Sequence, residues 1–416
     1  MLWALLACRP ATIVDSEALG LRLVWADLHA HTNLSMDGCE ANGEGCVSRE
    51  PGMPAADVLD TALQNGLSVL ALTDHAEFST YTDLSTGVGH EIWPRTLEII
   101  QSAPDGLVVF PGYEWTAHCV DAQGIHRTVV FESPGACEEL RVPSCQLVGQ
   151  KDELGLEVYG ENPNEPAGNT DKLYSRLAEV EACSTRWLSF VHHSAMTTPA
   201  SVDWGHAAGP EDEVLLEVHS EHGSSECRDP LSEGCAWGLS EFHDGSGSLQ
   251  AALAAGQRPG LLAGTDSHDA RPGSLSDGPG PSGLYVDMDS DGLLETALPH
   301  PFAGGVTGIW VESLEREEVF DALLDKRTIA ASWPMEITAL AGEELPGRAL
   351  EIGQWPLTVS VSGVDDWTWE LVSASGTVEE EPESMTLAST DVFYLRIRAS
   401  VDGVEQRAWA SPWWAE

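Results

Sequence analysis

Six times between residues 21 and 268 a short apolar run ends in a histidine or an acid, and this recurrence limits the possible folds more than any other feature of the chain. Residues 21–28 lead into His29-Ala30-His31, with Asp37 six positions on, and residues 67–73 lead into Asp74-His75. Residues 107–113 end at Glu114, 187–191 at His192-His193, 214–218 at His219 and then His222, and 260–264 at Asp266-Ser267-His268. With a seventh run at 128–131, all are short, rich in Val, Leu and Phe, and bounded by Gly, Pro or polar residues, as buried strands are. Residues 54–65, 171–182 and 248–255 read as helices between them; the first begins at a proline and stops before Gly66. Strand and helix in alternation predict an α/β sheet or barrel, and barrels gather their catalytic groups at the C-terminal ends of the strands.

Side chains two apart on a strand face the same way, so His29 and His31 can reach one ion, and so can Asp266 and His268. Imidazole and carboxylate ligands suit Zn, Mn or Fe. Any one of these histidines alone reads as a hydrogen-bonded core or surface residue. Six strand ends in succession carrying such groups point to a shared metal site, because buried polar groups without partners are costly.

The rest of the 416-residue chain frames this region. Residues 1–21 read as a leader and linker, 22–334 as the metal-bearing domain with an acidic, Pro/Gly-rich insertion at 133–170, and 335–416 as a small β-sandwich-like domain. Residues 272–283 read as a loop. Acidic residues outnumber basic ones by 67 to 20, a net charge of −47 that repels phosphate backbones and argues against nucleic-acid binding. There is no apolar run of the length a transmembrane helix needs. Leu5-Leu6-Ala7-Cys8 resembles a bacterial lipobox, which predicts an exported lipoprotein anchored at Cys8. Of nine cysteines, Cys8 is set aside as the anchor and six form close pairs, Cys39/Cys46, Cys137/Cys145 and Cys227/Cys235, leaving Cys119 and Cys183. None has Cys-x-x-Cys spacing, so disulfides of an oxidising compartment are expected. The fifteen tryptophans are read as packing rather than carbohydrate-stacking residues.

The segments Asp27-Leu28-His29-Ala30-His31-Thr32 with Ser35 and Asp37, Leu72-Thr73-Asp74-His75, and Gly264-Thr265-Asp266-Ser267-His268 resemble the successive motifs of the PHP (polymerase and histidinol phosphatase) superfamily. Thr73 to Glu77, Gly112 to Trp115, His222 to Glu226, Asp266 to Gly273 and Gly304 to Thr307 resemble, more narrowly, the 3604 family of domains of unknown function, whose closing helix the segment 316–332 fits. The resemblance covers roughly residues 22–340.

It implies an α/β fold, a distorted (β/α)7 TIM-like barrel, holding two or three divalent ions (Zn, Mn or Fe). The implied ligands are His29, His31, Asp37, His75, Glu114, His192, His222, Asp266 and His268; His193 competes with His192 for one role, and His219 with His222. Asp37 stands where many PHP sequences have His. Asp266, His268, His75 and Arg271 are the implied catalytic group. The implied activity is hydrolysis of an ester, most directly a phosphate ester, by metal-activated hydroxide on a small anionic substrate. Carboxylic or carbamate ester hydrolysis, and a non-catalytic cell-surface module that keeps its metal, are the alternatives. Arg127 and Arg271 are candidate anion contacts, and Asp27, Asp74 and Glu77 candidate orienters of imidazole N–H groups. No Gly-x-Ser-x-Gly element is present, which disfavours a serine hydrolase.

Overall fold

The computed structural model describes residues 20–32, 35, 56–75, 80–82, 89–116, 126–134, 146–151, 157–160, 170–180, 185–196, 202, 204, 213–232, 234–235, 237–238, 243–267, 271–275, 285–288, 294–298 and 303–416. Asp37, Glu77, His268, the lipobox and every cysteine except Cys227 and Cys235 lie outside the described residues. Those two cysteines are joined in a disulfide.

All seven apolar runs are strands: β1 (Arg22–Ala30), β2 (Val69–Leu72), β3 (Val108–Thr116), β4 (His126–Phe131), β5 (Trp187–Val191), β6 (Glu213–Ser220) and β7 (Gly260–Ala263). They hydrogen-bond to one another in sequence order. β1, β2 and β3 are parallel, and so are β5, β6 and β7. β4 alone runs the other way, antiparallel to β3 and β5. The two ends of this row also meet. Ala30 and Ser267 form a parallel bridge, with Asp266 N donating to His29 O (2.8 Å) and His31 N to Ser267 O (3.1 Å).

Helices α1 (Ala56–Gln64), α2 (Ile92–Gln101), α3 (Thr170–Val180) and α4 (Leu249–Ala254) cover the strands. α1 stops where Gly66 takes φ +78° and Leu67 N returns to Ala62 O, a left-handed cap that favours glycine. α4 is started by Ser248, whose hydroxyl accepts from Ala251 N. The regular strand–helix alternation expected from the sequence is not reached. The chain is strand-rich, β4 is reversed, and a hairpin (Gln146–Lys151 with Glu157–Gly160) lies within the segment read as an inserted loop.

Beneath the rim, Val24, Ala26, Leu28, Val69, Ala71, Phe110, Phe190, Leu215 and Leu262 form a core with Val319, Phe320 and Leu323 of α5 (Arg316–Leu324). Phe320 meets Phe110 edge-on at 5.6 Å between ring centroids. The segment 316–332, expected as one closing helix, is helical only over α5. After Lys326 at φ +60° it becomes strand β9 (Thr328–Ala331), paired with β8 (Val306–Val311). β8 is antiparallel to the first half of β1 and touches β7 through Thr307 Oγ1, which accepts from Ala263 N at 3.1 Å. Gly304 and Gly305 let it approach, since a Cβ there would lie 2.5 Å from Thr265 Cα and 2.6 Å from Ala263 Cβ.

Beyond residue 335 the chain forms β10 (Glu336–Ala341), β11 (Gly353–Ser362), β12 (Asp366–Ser373), β13 (Ser384–Leu387), β14 (Val392–Val401) and β15 (Val404–Ala415). β10, β11 and β13 make one sheet, facing β12, β14 and β15 across Ile337, Ala339, Leu371, Met385, Leu395, Ile397 and Ala408. The second of these sheets is continuous with the first region, because β15 pairs with β9. Its other side packs Val372, Val392, Tyr394 and Trp409 against Val218, Leu249 and Leu253. Buried Trp369, Trp409 and Trp413 are packing residues of this part. Among the described residues no helix is long and apolar enough to cross a membrane.

Phe320 is fully buried and joins α5 to the strand core. Phe320→Ala is expected to lower the unfolding free energy by about 3–5 kcal/mol, measured by urea denaturation.

Candidate metal centre

Plain alternation along β1 would put His29 on the opposite face from Leu28. The pairing with β2 slips between Asp27 and Ala30, so three steps on β1 match two on β2. Such a bulge re-aims side chains. Val24, Ala26 and Leu28 alternate into the core, and at the slip His29 also comes over that core, where its ring meets Phe190 at 6.1 Å. β6 slips likewise against β7 between Glu217 and His219.

Four groups converge at the rim. His31 Nε2 lies 3.3 Å from His29 Nε2, 3.1 Å from Glu114 Oε2 and 3.2 Å from Asp266 Oδ1. His29 Nε2 lies 3.3 Å from each of those two carboxylate oxygens. All four residues are buried. A second group comprises Glu114, His75 and His126, with His126 Nδ1 2.6 Å from Glu114 Oε1 and His75 Nε2 3.7 Å from Oε2. A third comprises Asp266, His192 and His222, whose Nε2 atoms lie 3.2 and 3.1 Å from Asp266 Oδ2. Glu114 therefore belongs to the first and second groups, and Asp266 to the first and third. Asp266 sits at φ +56° and His193 at φ +33°, conformations that are costly outside glycine and concentrate at functional sites.

The ring orientations are fixed from behind. Glu217 is buried beneath the rim and accepts from two imidazoles, with Oε2 2.9 Å from His29 Nδ1 and Oε1 2.7 Å from His192 Nδ1. A carboxylate can only accept, so both Nδ1 atoms carry the proton and both Nε2 atoms present a lone pair to the cluster. His31 Nδ1 is 3.0 Å from Ser35 Oγ, which leaves its Nε2 facing inward as well.

Lone pairs of two imidazoles and two carboxylates facing one another at 3.1–3.3 Å repel unless a cation lies among them. A tetrahedral ion about 2.0–2.1 Å from its ligands separates them by roughly 3.3–3.4 Å, so the donor set and its spacing fit such an ion. Protons would serve the same need. Burial opposes charge on His29, yet Asp266, Glu217 and Glu114 outweigh it and raise its pKa well above the usual histidine value. Burial likewise opposes ionisation of Glu114 and Asp266, but His75 and His126 hold the first, and His29 and His192 the second, well below the usual carboxylate range.

The structure thus brings together seven of the residues singled out in the sequence: His29, His31, His75, Glu114, His192, His222 and Asp266. Asp37 and His268 lie outside the described residues. Between the competing pairs, His192 and His222 enter the clusters, whereas His219 turns to Trp237 and Trp409, at 5.3 and 5.9 Å, and burial pushes its pKa down to about 4. His193 stands beside the clusters, its ring 3.9 Å from that of His192 and 5.1 Å from that of His126. Arg271 is half-buried in the segment after His268, its carbonyl accepting from Ser274 N.

Two expectations are corrected. Arg127 is not placed to meet an anion at the rim. It follows His126 on β4 and faces the opposite side, where it is buried in an ion pair with Glu213, to which Tyr174 also donates. Asp27 and Asp74 do not orient imidazoles. Asp27 accepts from the backbone of His29, Thr265 and Gly273, and burial raises its pKa to about 6. Asp74 accepts from the backbone and hydroxyl of Thr32 at 2.6 and 2.9 Å. Each locks the chain beside a cluster residue. Two residues went unforeseen. His126 opens a strand, and only the reversal of β4 brings that end to the rim. Glu217 sits three residues before the end of β6, and its charge within an apolar run was the signal that could have found it.

No protein-family model matches this chain, and no curated protein matches its sequence. Among solved structures it is similar to a two-domain protein containing a predicted PHP-like metal-dependent phosphoesterase from Bacteroides vulgatus ATCC 8482. The two share 14% identity with a TM-score of 0.43, over 94% of this chain and 87% of that one.

Glutamine at 217 would keep one acceptor and turn a donor toward the second imidazole, forcing one Nε2 to carry a proton. Glu217→Gln is therefore expected to weaken divalent-metal binding about 10–100-fold, measured by titration calorimetry. Arg127→Ala leaves Glu213 buried without its ion-pair partner. It is expected to cost about 3–5 kcal/mol in denaturant unfolding.

Proposed function

We propose that this chain is a PHP-like metal-dependent hydrolase that cleaves phosphate esters, built on a seven-stranded barrel distorted by the reversed β4. The carrying observation is the sharing of Glu114 and Asp266 between adjacent clusters, which suits a row of two or three divalent ions. In this reading His29, His31, Glu114 and Asp266 hold one ion, and His75 and His126 with Glu114 a second. His192 and His222 with Asp266 hold a third, and Asp37 and His268 complete the set. The sequence motifs and the Ala30–Ser267 bridge support the barrel.

Bound divalent ions supply Lewis acidity toward ester oxygens and lower the pKa of water at the site. The chain's own residues fix where that happens. Glu217 holds the tautomers of His29 and His192, and Ser35 holds the ring of His31 in place. Asp27 and Asp74 pin the backbone on which His29, Thr32 and Asp266 ride, so the ligands are set before substrate arrives. Arg271, on the segment that follows His268, is assigned to the anionic group of the substrate. Export of the protein is part of the proposal and is supported by the Cys227–Cys235 disulfide, a bond of oxidising compartments.

The test uses chelator-treated protein reloaded with Mn or Zn and assayed on phosphate mono- and diesters beside carboxylic esters. A phosphate ester should be turned over, with activity lost on chelation and reduced by roughly 100-fold or more in His29→Ala. Ions bound without turnover of any ester would replace this reading with the metal-retaining module.

A further inference from the structure

His222 rides on the tip of a tight hairpin. β6 ends at Ser220, the chain turns through Glu221 and His222, and Gly223 at φ +94° brings it back so that Ser224 pairs with His219. A two-residue tip of this kind sets its side chain only if the returning arm is held. The arm is held through its backbone, with Ser225 N donating to Val218 O (2.8 Å) and Ser225 O and Glu226 O accepting from Leu249 N and Gln250 N (2.8 and 3.1 Å), and through the side chain of Glu226, four residues on, whose partners come from the C-terminal sheet. Glu226 Oε1 accepts from Tyr394 Oη at 2.7 Å and from Arg396 Nη1 at 2.9 Å. All three side chains are buried. Arg396 is itself fixed by Glu370 on the neighbouring strand β12, and Tyr394 accepts from Gln250 of α4 at 3.1 Å.

The same sheet grips the segment at a second point. Cys227 follows Glu226 and is tied to Cys235, and Gly234 lies inside that disulfide loop. A Cβ on Gly234 would come within 2.7 Å of Arg396 Nη2, and Gly234 O accepts from Arg407 Nη1. Arg407 also lies over the Trp237 ring at 5.0 Å. The segment therefore meets β14 and β15 at both ends of its disulfide.

We infer that Tyr394 and Arg396 are positioning residues for the metal centre. Through Glu226 they set the hairpin that carries His222, so the C-terminal sheet governs the cluster of His192, His222 and Asp266. This rests on the metal-site reading above. The cluster of His29, His31, Glu114 and Asp266 rides on β1, β3 and the segment after β7, so loosening the Glu226 clamp should weaken one class of bound ion and spare the others.

The experiment is a titration of chelator-treated full-length protein with Co2+, followed by its visible absorption and by elemental analysis, for wild type, His222→Ala, Tyr394→Phe and Arg396→Lys. Tyr394→Phe removes one hydroxyl and keeps the ring in its apolar contacts, and its fold is checked by circular dichroism and thermal melting. His222→Ala should abolish the spectral component of one ion class. Tyr394→Phe should weaken the same component about tenfold or more and leave the tighter ions at wild-type affinity. Arg396→Lys, which keeps a donor for Glu226, should fall between wild type and Tyr394→Phe. A folded Tyr394→Phe with every component at wild-type affinity, or with all components weakened alike, overturns the inference. A wild type that binds no cobalt, or a His222→Ala indistinguishable from it, overturns instead the metal-site reading on which the inference rests.

Discussion

The meeting of β1 with the segment after β7 is the constraint on which the site depends. Two backbone hydrogen bonds, Asp266 N to His29 O and His31 N to Ser267 O, join the first strand of the row to the last. They set Asp266 between the imidazoles of His29 and His31 on one side and those of His192 and His222 on the other. The segment pays locally for this, with Asp266 held at φ +56°, a strain that persists only where the surroundings over-determine the backbone. Asp27 supplies that determination. Its carboxylate takes the backbone N–H of His29 and of Thr265, one on each side of the junction, and stays fully buried in doing so.

Charge within the rim is balanced locally. Glu114, Glu217 and Asp266 are each driven below the ordinary carboxylate range by imidazoles, against a burial penalty that acts the other way. Such a set is stable with protons on the imidazoles or with metal ions in their place, and the two compete. The tautomers imposed by Glu217 favour the ions, because they leave the Nε2 lone pairs turned inward.

Much of this was legible in the sequence. The seven apolar runs name the seven strands because strands buried on both faces have no polar alternation to obscure them. The i, i+2 spacing of His29 and His31 states that both point one way, and their Nε2 atoms do lie 3.3 Å apart. What was not legible depends on direction and register. Nothing in His126-Arg127-Thr128 tells that β4 is reversed, so the rule that ligands sit at C-terminal strand ends passed over His126 and left Arg127 as an anion contact. The bulges in β1 and β6 are likewise pairing properties of two strands, invisible in either one alone. The last strand, β15, pairs with β9 and so carries the sheet across the expected domain boundary.

That continuity gives the buried arginines a common logic. In a chain with a net charge of −47, a cation left at the surface would be surrounded by acids and screened within about 8–10 Å. Arg127 and Arg396 are instead buried against Glu213 and against Glu226 and Glu370. A buried pair adds little net stability over an apolar substitute but fixes geometry, since losing one partner strands the other. Arg127 fixes β4 to β6 behind the rim, and Arg396 fixes β14 to the hairpin in front of it. Among the described residues, the clusters at the rim take their positive charge from imidazoles, and Arg271 stands on the segment that follows. At such a site the field of a bound ion would act at contact distance, while the distributed surface charge is screened.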